Sequence, residues 1–265
     1  MIRGVLVVLL LLLTACSSQE RGDYKIAEKN VSQGNYKVAL EYFDRVILRN
    51  SNSEYPMEAA REAARVSFFE MKDYERTIKY HRFIVLNSKD EKERVQSQKQ
   101  IADIYFNNLQ NYQASVVEFS KLQQMPHTDL EAAQYQMSIA RANYYMNNFF
   151  QAESEIDSLL RLKSDDNIRF QALMLKGNIL VAKKEFIKAI DIFKGMIDKY
   201  PQRSVQENVG LVLAVCYEEN DNFKEAIKVL EDYRGKYSPP EYIELRIKRL
   251  QERMKNAPGA KGFRK

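Results

Sequence analysis

Tryptophan is absent from this sequence of 265 residues, and helix-breaking residues are scarce, with 9 Gly and 6 Pro. Long stretches are instead rich in Ala, Leu, Glu, Lys, Gln and Arg, which favour helix. No region alternates apolar and polar residues in the manner of a half-buried strand. The composition therefore predicts an all-α protein.

Clustered residues that could carry out catalysis are also lacking. The sequence contains no glycine-rich phosphate loop, no metal-ligand spacing and no nucleophile elbow. We interpret His81, in an aromatic packing position, and His127, in a turn, as structural residues. Cys216 has no cationic neighbour in its apolar segment, which is typical of a core cysteine rather than a reactive thiol. The sequence thus predicts no enzymatic activity, no metal site and no cofactor.

An excess of charge of one sign is missing from most of the chain. The formal net charge is +5, of which the last 14 residues contribute +4 and Arg3 contributes one more. Residues 16–250 are therefore neutral overall. Because nucleic-acid binding needs a broad basic face, we do not expect nucleic acid as a partner.

The N-terminal apolar run is too short to remain as a membrane span. Val5 to Leu13 follows Arg3, whereas a spanning helix needs about 20 apolar residues. Leu13-Thr14-Ala15-Cys16 resembles the lipobox of bacterial lipoprotein precursors, whose cysteine becomes the lipidated first residue. The resemblance implies a signal peptide at 1–15, acyl chains on Cys16 and a flexible linker at 16–23. An ordinary leader followed by a chance cysteine is the alternative.

The residue after the lipidated cysteine influences sorting in lipoproteins. Ser17 occupies that position, where an aspartate commonly retains such proteins at the inner membrane. The resemblance therefore implies the outer membrane, with the protein facing the periplasm.

Six near-copies of one short pattern recur along the chain. Each has an aromatic residue after a turn and, in most copies, a small residue three positions later. The aromatic residues are Tyr36, Tyr74, Tyr112, Phe149, Phe186 and Phe223. They lie 38, 38, 37, 37 and 37 positions apart, a period typical of stacked repeats that offer binding surfaces. Each copy predicts two amphipathic helices joined by a tight turn, and the fifth predicts helices at about 167–182 and 186–200 with Pro201 ending the second.

The fifth copy carries the clearest family pattern, with Gly177, Ala189, Phe193 and Pro201 at the spacing of the tetratricopeptide repeat (TPR). The chain thus resembles TPR proteins. This resemblance implies an all-α, right-handed solenoid of six TPR-like helix-turn-helix repeats over residues 24–238. The period is a few residues longer than the usual length of about 34.

The C-terminal region begins after two prolines, Pro239 and Pro240. Ile243, Ile247, Leu250 and Met254 form one apolar stripe, which predicts a capping helix over residues 239–256. Docking of this helix on a partner or on anionic lipid head groups is the alternative. We expect the basic tail, residues 257–265, to be disordered.

Inner-facing positions of the first helices contact ligand in TPR proteins. Carried over copy by copy, the resemblance implies partner binding by Tyr24, Glu28, Glu62, Phe69, Gln100, Asn107, Asn108, Gln134, Met137, Arg141, Tyr144, Tyr145, Gln171, Met174 and Asn178. Amides can donate to and accept from a peptide backbone, while Tyr, Phe and Met supply adaptable apolar contact. A peptide or partner loop fits such a face better than a small metabolite, and Tyr144-Tyr145, expected as an exposed pair, is the best candidate. A merely hydrated surface is the alternative.

The lipobox, short linker and helical repeats together are similar to the BamD family, the outer-membrane lipoproteins of the β-barrel assembly machinery. Tyr24-x-x-Ala27 through Gly34-Asn35-Tyr36-x-x-Ala39 looks much like the first repeat of that family. The resemblance implies that the protein receives unfolded outer-membrane proteins and couples them to the barrel-forming subunit. The chain has one repeat more than that family usually has. An adaptor lipoprotein that recruits periplasmic proteases or cell-wall enzymes is the alternative.

Overall fold

The computed structural model describes residues 19–49, 51, 53–162 and 164–256. Every regular element in this part of the chain is a helix, which confirms the predicted all-α class. The helices are α1 (19–32), α2 (Tyr36–Arg49), α3 (Tyr55–Phe69), α4 (Tyr74–Asn87), α5 (Glu91–Asp103), α6 (Tyr112–Leu122), α7 (Asp129–Tyr145), α8 (Phe149–Arg161), α9 (Asp166–Ala182), α10 (Phe186–Lys199), α11 (Pro201–Gln206), α12 (Val209–Glu219), α13 (Phe223–Asp232) and α14 (Pro240–Asn256). The predicted signal peptide, Cys16 and the basic tail lie outside the described residues.

The chain forms two compact units, Met1–His127 and Thr128–Lys265. Unit 1 contains α1 to α6, and unit 2 contains α7 to α14. Within each unit, helices that follow one another in the chain pack together as pairs, as the repeat pattern predicts. Among the described residues, no helix is both long enough and apolar enough to cross a membrane.

One backbone conformation recurs in the turns between paired helices. The residue two positions before each repeat aromatic has a positive φ: Gly34 at 76°, and five non-glycine residues between 50° and 60°. In the fourth repeat, the N–H of Asn148 then donates to the carbonyl of Asn143 at 2.9 Å, which closes the end of α7 as in a Schellman motif. The short pattern in the sequence is therefore a turn signal.

The longer spacing in the second and third repeats has a local cause at the ends of α3 and α5. Their turn-closing bonds, from Asp73 to Ser67 and from Asn111 to Tyr105, reach one residue further back than in the fourth repeat. In the third repeat the extra residue lies in a π-helical turn, Ile104–Asn108. A single π-helical turn of this kind accommodates an extra residue within a helix.

Side-chain caps define several helix starts. Asp73 and Asn111 accept hydrogen bonds from backbone N–H groups in the first turns of α4 and α6. Thr128 and Glu131 form a reciprocal capping box that begins α7, and Asp165 caps α9. These bonds satisfy N–H groups that have no partner within the helix, so they determine where each helix begins.

One boundary differs from the prediction. Residues 19–23, assigned to the linker, are helical and continuous with α1. Side-chain bonds to α2 and the segment after it hold them, including an ion pair of 2.6 Å between Asp23 and Arg49. The helix α10 ends at Lys199, before Pro201 as predicted, and Pro201 then begins a further short helix, α11, since proline suits a first helical position.

The C-terminal helix α14 covers the sixth repeat with the predicted stripe. Ile243, Ile247 and Leu250 are buried in one cluster with residues of α12 and α13. Arg246 also donates to Glu218 of α12 at 2.7 Å. Met254 at the end of the stripe is only half-buried, and the capping role of this helix stays a prediction.

Candidate functional site

A groove of about 450 Å³ runs along α7 and α9 in unit 2. Seven of the predicted partner-binding residues line it: Met137, Arg141, Tyr144, Tyr145, Gln171, Met174 and Asn178. Residues three or four positions apart share one face of a helix, which is why α7 and α9 present these side chains together. Gln134, the remaining predicted residue of this unit, is exposed and is not among the lining residues.

Four lining residues were missed by the sequence analysis: Phe170, Leu175, Arg203 and Glu207. Phe170 and Leu175 lie beside predicted positions on α9, so helical spacing could have identified them. Arg203 and Glu207 belong to α11 and the residue after it. No repeat position marks this connection, because in the part of the chain that the structure describes only the fifth repeat has such a helix before its successor.

The floor of the groove is apolar. Phe170, Leu175 and Met137 are almost fully buried, and each belongs to a core cluster of unit 2. Met174 is half-buried beside them and retains some exposure to the groove. A ligand can therefore bury apolar side chains against a surface that is already well packed.

The two adjacent tyrosines differ in environment, which corrects the expectation of an exposed pair. The side chain of Tyr145 is 53% exposed, whereas Tyr144 is half-buried against the core of α7 to α9. The Tyr144 ring lies 5.8 Å from that of Tyr145 and 5.9 Å from that of Phe149. Consecutive helical residues point about 100° apart, so only one of the two can face the solvent fully.

A hydrogen-bonded chain connects two arginines across three helices. Arg141 of α7 donates to the Oε1 of Gln171 at 3.1 Å. Gln171 donates to the Oδ1 of Asn167 at 3.3 Å, and Arg203 of α11 donates to the same oxygen at 2.8 Å. The guanidinium carbon of Arg203 also lies 4.1 Å from the centre of the Phe170 ring. These contacts hold both guanidinium groups in defined positions.

In unit 1, three predicted residues are neighbours near the first helix pair. Tyr24 packs between Phe43 and Tyr55, with ring centres 5.7 and 5.6 Å away. Burial, together with the negative charge of nearby carboxylates that include Glu28 and Glu62, raises the pKa of Tyr24 to about 12. Tyr24 thus contributes to the core as well as to the surface.

The other predicted residues of unit 1 lie at the ends of α3 and α5. Phe69 is 67% exposed and rests edge-on against Phe68, with ring centres 4.9 Å apart. Asn107 and Asn108 are exposed in the π-helical turn, and Gln100 is half-buried. Whether any of these residues contacts a partner stays a prediction.

Unit 1 also contains a larger cavity, of about 1050 Å³, that none of the predicted residues lines. It lies where the starts of α3 and α5 meet the end of α4. The Nε and Nη2 of Arg61 donate hydrogen bonds to the two carboxylate oxygens of Glu93, at 2.6 and 3.0 Å. The charge of this arginine is therefore already compensated.

Burial shifts the pKa of His81 in unit 1 and of Cys216 in unit 2 towards the neutral form. Burial lowers the pKa of His81 on α4 to about 4 and raises that of Cys216 on α12 to about 11. A neutral, fully buried thiol agrees with the predicted core cysteine. Across the described residues, no group of three or more His, Cys, Asp and Glu side chains is arranged to hold a metal ion.

Comparison with known proteins identifies the repeat. Residues 210–238, in the sixth copy, match the sequence profile of the tetratricopeptide repeat. The fold is that of TPR proteins. MamA superimposes with a TM-score of 0.52 at 15% identity, over 69% of this chain and 95% of its own. The comparison with curated protein sequences finds no match.

Two further solved TPR structures are similar over most of the chain. YrrB, described as a TPR protein with an unusual peptide-binding site, has a TM-score of 0.52 at 14% identity and covers 78% of this chain and 97% of its own. A TPR protein from Parabacteroides merdae ATCC 43184 has a TM-score of 0.51 at 12% identity and covers 89% of this chain and 88% of its own. At such low identity the similarity concerns the fold and assigns no role to a residue.

Proposed function

We propose that this protein is a non-catalytic scaffold that binds an extended peptide or a partner loop in the groove of unit 2. The observation that carries this proposal is the convergence of predicted contact residues from α7 and α9 on one groove. TPR proteins are interaction scaffolds, and YrrB, which shares the fold, is described as having a peptide-binding site. Peptide binding therefore suits both the fold and the lining of the groove.

The chemistry of the lining supports a peptide better than a compact metabolite. Gln171 and Asn178 carry amides that can both donate to and accept from an extended backbone. Met174 and Tyr145 offer apolar surface that adapts to side chains of different shape. An elongated ligand can contact these amides and these apolar side chains at the same time.

We further propose that acyl chains on Cys16 hold the protein at the outer membrane, facing the periplasm, and that it serves in outer-membrane protein assembly as BamD does. The support is the lipobox at Leu13 to Cys16 and the likeness of the first repeat to that family. Under this proposal the groove receives unfolded outer-membrane proteins or a loop of the barrel-forming subunit. An adaptor that recruits periplasmic proteases or cell-wall enzymes would use the same groove for a different partner.

Mild crosslinking in native membranes, followed by purification and mass spectrometry, tests this proposal. Recovery of the barrel-forming subunit supports the assembly role, whereas recovery of proteases or cell-wall enzymes without it supports the adaptor role. The groove variant Tyr145→Ala should reduce crosslinking of the partner. Tyr242→Ala, the same change on α14 outside the groove, should leave it intact. Equal recovery with both variants would argue against the groove.

A further inference from the structure

Two arginines, Arg141 and Arg203, line the groove of unit 2. Neither Arg141 nor Arg203 takes part in an ion pair with any residue that the structure describes. In unit 1 the contrast is Arg61, which lines the larger cavity and is paired with Glu93 at 2.6 Å. The positive charge of the groove is therefore available to a ligand.

Neutral groups hold both guanidinium groups in place. The acceptors are the side-chain oxygens of Gln171 and Asn167, and the Phe170 ring supports Arg203 from its face. An arginine has five N–H donors, and these contacts use few of them. Side chains oriented in this way lose little conformational freedom when a carboxylate binds.

One acidic residue also lines the groove and limits its charge. Glu207 is exposed and forms no ion pair with either arginine among the described residues. The formal charges of Arg141, Arg203 and Glu207 leave the lining with a net charge of +1. Such a groove matches a segment that carries one or a few carboxylates, and it disfavours a polyacidic stretch.

We infer that the groove selects extended peptide segments in which an acidic side chain lies among apolar ones. The carboxylate accepts hydrogen bonds from Arg141 and Arg203, and the apolar neighbours pack on Met174 and Tyr145, which retain exposed surface in the groove. Charge-assisted hydrogen bonds to arginine are stronger than those between neutral groups. This inference rests on the proposed peptide-binding function and specifies its ligand.

A selection experiment with random peptides tests the inference. The full chain with Cys16→Ser, which lacks the lipid, is immobilised and used to select from a displayed library of random peptides. The same selection is made with Arg141→Gln/Arg203→Gln and with Arg161→Gln/Arg249→Gln. The second pair removes the same charge from exposed positions of α8 and α14 outside the groove. We expect Asp or Glu beside apolar residues to be enriched by the parent and the matched variant, but not by the groove variant.

A selected peptide then gives a measurement that does not depend on the folding of any variant. Its affinity is compared with that of the same peptide in which the acidic residue is replaced by its amide, by fluorescence anisotropy. Loss of a charge-assisted hydrogen bond should weaken binding about tenfold, and added salt should weaken the acidic peptide more than the amide form. Equal affinities, or groove-dependent peptides without acidic enrichment, would overturn this inference and leave the peptide-binding function standing. If no selected peptide loses affinity with Arg141→Gln/Arg203→Gln or with the groove variant Tyr145→Ala, the proposed function fails as well.

Discussion

At Gly177, the absence of a side chain decides how closely α9 approaches α10. A Cβ at this position would lie 2.4 Å from the ring of Phe193, which is fully buried. Gly195 on α10 provides the contrast, since nothing lies within 4 Å of the Cβ it would carry. The same substitution should therefore have opposite effects at the two positions.

We predict that Gly177→Ala lowers the free energy of unfolding by about 1–3 kcal/mol, because the ring or the helix must shift. Gly195→Ala should raise it by about 0.5–1 kcal/mol, because alanine restricts the unfolded chain and favours helix. Denaturant unfolding followed by circular dichroism measures both. Stabilisation by Gly177→Ala would show that the packing at Phe193 is looser than described.

His81 should make the protein sensitive to mild acid. Burial lowers the pKa of His81 to about 4, against a value of about 6.5 in an unfolded chain. Below pH 6.5 the unfolded chain therefore binds a proton that the folded protein does not. The contribution of neutral His81 to the free energy of unfolding is therefore fully present above pH 6.5 and is lost as the pH falls towards 4.

His81→Phe, which keeps a ring but removes the titration, should reduce the loss of stability between pH 6.5 and 4. His127→Gln is the control, because His127 is exposed. Unfolding free energies measured across this pH range for the three proteins test the assignment. A pH profile unchanged by His81→Phe would assign the acid sensitivity to other groups.

At the scale of an element, one apolar stripe buries α14 against its unit. Ile247 is 3% exposed within the cluster of α12, α13 and α14, whereas Leu245 on the same helix is 47% exposed. We predict that Ile247→Ala lowers the free energy of unfolding by about 2–5 kcal/mol. Leu245→Ala should change it by less than about 0.5 kcal/mol.

Hydrogen exchange of the α14 amides locates this effect. Faster exchange in Ile247→Ala, confined to α14 and its neighbours, would show that the helix detaches as a unit. If Leu245→Ala were equally destabilising, the outer face of α14 would also be in contact with another part of the protein.

At the scale of the whole molecule, the proposed lipid attachment determines where the groove can meet its partners. We predict that Cys16→Ser moves the protein from the membrane fraction to the soluble periplasm, because two or more acyl chains are needed for stable anchoring. Fractionation followed by immunoblotting measures this. A Cys16→Ser protein that still sediments with membranes would contradict the lipid anchor and point to a protein-mediated attachment.

By itself, the sequence determined the helix pairs and their turns, because a recurring aromatic residue and small residue mark one packing unit and one positive-φ turn in every repeat. The resemblance to TPR proteins also indicated most of the groove lining on α7 and α9, because the inner-facing positions of the first helices could be carried over copy by copy. Only the tertiary structure decided the rest. Tyr144 turned inward because Phe149 and the core occupy its side of α7, and Arg203 lines the groove because a short helix that was not predicted, α11, begins at Pro201. Such contacts join side chains that are distant in sequence, so the periodicity of residues along a single helix could not predict them.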